Sequence, residues 1–79
     1  GKMPVGVITF DENDHIEWFN PYAKLVLSDE YGNFNKQLIA DFISQKRKGS
    51  PSNVITVGDN KYAAFVDFDN KLTYFIDNV

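Results

Sequence analysis

Apolar residues along this chain first alternate with polar ones, then adopt a helical spacing, then alternate again to the end. VGVITF (5–10) is a β-branched run that stops at the acidic turn DEND. HIEWFN (15–20) follows at hairpin distance. A period of two puts Ile16, Trp18 and Asn20 on one face and His15, Glu17 and Phe19 on the other, and the first set suits the interior better.

Asn20-Pro21 marks the change of period. An Asn side-chain oxygen accepts from the exposed N–H groups of a first helical turn, and proline fits the first helical position because its missing N–H is not needed there. Asn20 is therefore the predicted cap of a short helix, PYAKLVL, which ends in SDEYGN. NKQLIADFISQKRKG (35–49) is the clearest helix, with Leu38, Ile39, Phe42 and Ile43 on one stripe, Asn35 at its start, and Lys46, Arg47, Lys48 and Gly49 at its end. Three further strands are predicted: NVITV (53–57), KYAAFVDF (61–68) and KLTYFI (71–76). The tight-turn sequences GDN and DN join them into a meander. The order ββ-helices-βββ predicts an α+β domain: a five-stranded antiparallel sheet with short helices packed on one face.

Composition narrows the function. The chain has 79 residues, no cysteine, seven Phe, four Tyr and one Trp. So many aromatics predict a packed core, and the missing thiols remove disulfides and thiolate metal sites. A net charge of −3 lacks the electrostatic footprint of a nucleic-acid binder. No apolar run approaches the ~18 residues a membrane span needs, so direct membrane contact is not expected of this segment. KRK (46–48) sits at a helix end, where the helix dipole already accounts for it.

Candidate chemistry is sparse. DENDH invites a calcium-loop reading, but that loop needs Gly at its sixth position and Glu at its twelfth, which here are Ile16 and Tyr22. His15, the only histidine, reads as a surface residue at a strand start. No catalytic or metal-binding constellation appears. What remains is an apolar interior: Leu38, Ile39, Phe42 and Ile43 opposite Ile16, Trp18, Val57, Val66, Tyr74 and Ile76 form the candidate ligand pocket. The sheet is apolar on both parities, and Phe19, Phe65 and Phe75 fall on the other face, where they predict a homodimer contact.

The stretch GVITFDENDHIEWFNPYAKLVL resembles the start of a PAS domain: hydrophobic strand, acidic hairpin turn, second strand, then Asn-Pro and Ala leading into a helix. MPVGVITFDENDHIEWFNPYA is more specific and resembles the PAS domain of the GdpP/YybT family of bacterial membrane-anchored cyclic di-AMP phosphodiesterases. The resemblance covers nearly the whole chain, with a shorter helical region than most PAS domains have. It implies one sensory domain over residues 1–79, cut from a longer membrane-anchored protein and lying on the cytoplasmic side. It also implies haem b or a small hydrophobic ligand in the pocket, control of the parent's phosphodiesterase through its adjacent domains, and no catalysis by these residues. One departure stands out: NKQLIADFISQKRK carries no histidine to serve as the axial haem ligand.

Overall fold

The computed structural model describes residues 3–77. Strands β1 (Val5–Phe10) and β2 (Ile16–Phe19) form a hairpin. Helices α1 (Pro21–Leu27) and α2 (Lys36–Arg47) follow. Strands β3 (Val54–Val57), β4 (Asn60–Asp67) and β5 (Leu72–Asp77) close the chain. They form one five-stranded sheet in the order β2-β1-β5-β4-β3, every neighbouring pair antiparallel. This is the α+β architecture the sequence predicts, and it agrees with a PAS-like fold.

Asn20 does more than cap. Its Oδ1 accepts from the Ala23 N–H at 2.9 Å, which caps α1, and from the Val7 N–H at 3.0 Å. Its Nδ2 donates to the Val5 carbonyl at 2.8 Å. The side chain thus continues the β1–β2 ladder while the backbone leaves it for the helix. Strand and helix are joined by one residue, and three backbone groups that would lose partners at the junction keep them.

The α1–α2 loop is closed by Asp29, whose Oδ1 accepts from the N–H groups of Tyr31 and Asn33 at 2.9 Å each, with Gly32 at φ +82°. Asn35 then caps α2 by accepting from the Leu38 N–H at 3.1 Å. α2 ends at Gly49, whose φ of +94° favours glycine, and the Ser50 N–H reaches back to the Gln45 carbonyl.

The core lies between the helices and one sheet face. Ala23 and Leu27 from α1 and Ile39, Phe42 and Ile43 from α2 are buried with Ile8, Phe10, Ile55, Tyr62, Ala64 and Phe75 from the strands. Half-buried Ile16, Phe19, Leu38, Val57 and Val66 pack around them.

The structure corrects the face assignment at five residues. In β2 a bulge interrupts the ladder: Thr9 pairs with Trp18, but Phe10 pairs with Ile16, leaving Glu17 without a partner. The extra residue shifts the phase. Ile16 and Phe19 therefore both face inward, and Trp18, expected inside, faces out at 53% exposure. Phe19, expected outside, stacks on Phe34 with ring centroids 4.1 Å apart.

In β5, Thr73 pairs with inward Ile8 and Val66, so Thr73 and Phe75 point inward while Tyr74 and Ile76 point outward. Tyr74 and Ile76 therefore leave the pocket set, and Phe75 leaves the outer set. Both parities of this strand are apolar, so alternation alone cannot choose between them. Gly6 makes the choice: it lies directly opposite Phe75, and a Cβ there would overlap the Phe75 ring. The ring needs that vacant volume, and it is available on the helix side.

Candidate functional site

Two surfaces remain as candidates: the helix–sheet interface and the outer sheet face. In the interface Ile8, Ile39, Ile43, Thr73 and Phe75 are fully buried. Phe75 is flanked by Tyr62, edge-on at 5.6 Å, and Tyr22 at 6.1 Å. A groove of about 270 Å³ runs between α2 and β3, lined by Leu38, Phe42, Val54, Ile55, Ser50 and Ser52 among others. Pockets for drug-sized ligands usually span about 300–1,000 Å³, so this groove falls just below that range.

The donors available to a haem do not converge there. The His15 side chain is 79% exposed on the β1–β2 turn, 3.7 Å from Asp11, and Met3 is 58% exposed. Tyr62 does face the interface. Burial, reinforced by Tyr22 and Asp77, pushes its phenol up. Among the described residues neither the histidine nor the methionine is placed to serve as an axial haem ligand in the interface. Among the described residues there is also no cluster of His, Cys, Asp and Glu able to hold a metal ion.

Two polar atoms in this buried region stand out. The hydroxyls of Thr73 and Ser28 are buried and have no hydrogen-bond partner among the described residues. Thr73 is fully buried at the middle of the inner face, between Ile8 and Val66. No sequence pattern marks such a residue, because threonine is ordinary in strands.

The outer face is apolar in its central rows. One row runs Val7, Tyr74, Phe65, and the next runs Val5, Ile76, Ala63, Val54. Trp18, Thr9, Leu72 and Asp67 form a third. Phe65 and Tyr74 stack at 5.4 Å in the centre, and Val5, Trp18, Val54, Phe65 and Tyr74 are each 38–53% exposed. Of the outer residues expected from sequence, Phe65 is here, whereas Phe19 and Phe75 are not. Trp18 and Tyr74 are the ones that alternation missed.

A charged contact ties the layers together. Arg47, at the end of α2, donates from Nε and Nη2 to the two carboxylate oxygens of Asp14, each at 2.8 Å. Its guanidinium also sits 4.3 Å from the centre of the Phe68 ring. Asp14 holds the β1–β2 turn at φ +64°. KRK therefore has a specific partner 33 residues away, which the helix-dipole reading of that run did not anticipate.

Comparison with known proteins agrees with this geometry. The family described as "Cyclic-di-AMP phosphodiesterase GdpP-like, PAS domain" matches residues 1–78. The chain is 24% identical over 78 residues to the cyclic-di-AMP phosphodiesterase GdpP of Bacillus subtilis (strain 168), covering 96% of this chain and 12% of that protein. It is 28% identical over 80 residues to proteins named membrane protein-large ribosomal subunit bL9 fusion protein from the Aster yellows witches'-broom (strain AYWB) and Onion yellows (strain OY-M) phytoplasmas. Those matches cover 96% of this chain and 9% of each relative. The chain thus spans about a tenth of the length of the curated relatives it matches. No solved structure matches it.

Proposed function

The chain belongs to the family of PAS domains of GdpP-like cyclic-di-AMP phosphodiesterases, and from that premise we propose a module that pairs with a second copy through its outer sheet face and passes the state of that pairing to a phosphodiesterase in the same protein. The domain is regulatory and is not itself catalytic. The observation that carries the proposal is the outer face itself, where Trp18, Phe65 and Tyr74 form an exposed apolar surface on a sheet whose opposite face is already covered by helices. The parent protein is membrane-anchored and holds this domain on the cytoplasmic side. Among the described residues no helix is long and apolar enough to cross a membrane.

Sedimentation tests the pairing. Wild-type chain sediments as a dimer and Phe65→Asp as a monomer. A wild type that stays monomeric at high concentration overturns the reading.

A second reading is favoured by the apolar groove beside α2: a small flat hydrophobic ligand, haem b included, held by apolar contact with no axial side chain. Hemin titration followed at the Soret band tests it. A change saturating at one equivalent supports haem capture, and an unsaturable or absent change removes it.

A further inference from the structure

On β4 the outer face carries Lys61, Ala63, Phe65 and Asp67 in order: cation, small, large, anion. Read backwards, the row is complementary to itself. We infer that the outer face binds a second copy of this chain in one isologous antiparallel register, its two-fold axis lying between the sheets, perpendicular to the strands, at the level of Gly6, Phe75 and Ala64. Those residues form a single pairing row across β1, β5 and β4.

Rotation about that axis lays each strand on its own copy running the other way. Lys61 meets the partner's Asp67, and Asp67 meets the partner's Lys61. Ala63 meets the partner's Phe65, a small residue against a large one, as interdigitating layers require. On β5 Tyr74 meets the partner's Ile76, and on β1 Val5 meets the partner's Val7. Contacts near the axis are thus apolar, while the ion pairs lie at the ends of β4, roughly 20 Å apart at about 3.3 Å per residue. Facing sheets pack about 10 Å apart with strands crossing at about 30°, a gap that Lys and Phe side chains span.

Competing registers are worse. An axis running along the strands over β4 sets Lys61 on the partner's Lys61 and Asp67 on the partner's Asp67. Moving the perpendicular axis one residue toward Asp67 sets that carboxylate against the partner's Ala63 methyl, which offers it no opposite charge.

The register presupposes the outer-face pairing proposed above, and a charge-exchange experiment separates the two. Lys61→Asp and Asp67→Lys each place like charges at both ends of β4 and weaken the homodimer about ten-fold at low salt. Mixed in equal amounts, the two variants regain near wild-type affinity as a heterodimer, because each end of β4 then sets a carboxylate of one variant against an ammonium of the other. Asp67 also accepts from Asn70 in the β4–β5 turn, so circular dichroism checks that Asp67→Lys is folded. If it is not, Lys61→Asp alone decides, through a weakening at low salt that fades at high salt. Charge variants that dimerise like wild type, or a mixture that regains nothing, overturn the register while Phe65→Asp still tests the face. A monomeric wild type overturns both.

Discussion

The ring of Phe75 lies across the backbone of Gly6, its partner on the neighbouring strand, and fills the space a side chain would take. Gly6→Ala drives a methyl group into that ring and is expected to cost about 1–3 kcal/mol, the usual range for an overpacked core. Phe75→Ala leaves a cavity instead and costs about 3–5 kcal/mol. Urea midpoints measure both. A Gly6→Ala chain as stable as wild type would show that the ring moves aside freely.

Asn20 holds α1 to β1 through bonds to Ala23, Val7 and Val5. Asn20→Ala removes all of them and is expected to cost about 2–3 kcal/mol, beyond the ~1 kcal/mol of an isolated cap. Asn20→Asp keeps the acceptor and loses only the donation to Val5, so its cost is about 1 kcal/mol. Equal losses for the two variants would mean that the acceptor contributes nothing.

These two sites mark what was legible beforehand. The elements were readable because turn chemistry punctuates them: Asn20-Pro21 starts a helix, and GDN and DN close hairpins. The faces were only partly readable. An unpaired Glu17 shifts the β2 phase, and β5 is apolar on both parities until Gly6 is set beside Phe75. That clue lay in the sequence, but using it requires the β1–β5 pairing, which joins the two ends of the chain. The Arg47–Asp14 pair has no local signature at all.

Thr73 presents a hydroxyl to an apolar core, with no hydrogen-bond partner among the described residues. Thr73→Val keeps the shape and removes the desolvation penalty, so the variant is expected to be more stable by about 1 kcal/mol. Thermal and urea unfolding measure it. A loss of stability would show that the hydroxyl is bonded in solution.

Asp11, Asp29 and Asp67 share a titration behaviour. Asp11 is held low mainly by the His15 N–H, Asp29 mainly by the Asn33 N–H, and Asp67 mainly by the Asn70 side chain. A folded value below the unfolded one of about 3.9 means that the unfolded chain binds more protons as acid is added. The contribution is complete above the unfolded value and is lost as pH falls through the lower folded values. Urea midpoints taken from about pH 6 down to about pH 2.5 should stay level until near pH 4 and then decline. Asp29→Asn should shallow that decline, and an unchanged acid slope would remove Asp29 from the explanation.

The bidentate pair between Arg47 and Asp14 has a mechanical consequence. It rivets the far end of α2 to the tip of the first hairpin, so a tug on that helix is delivered to the rim of the platform on its opposite side. Trp18 rides on that rim. Loosening that pair, as in Asp14→Ala, is therefore expected to free the hairpin tip from the helix end, with little effect on the buried centre.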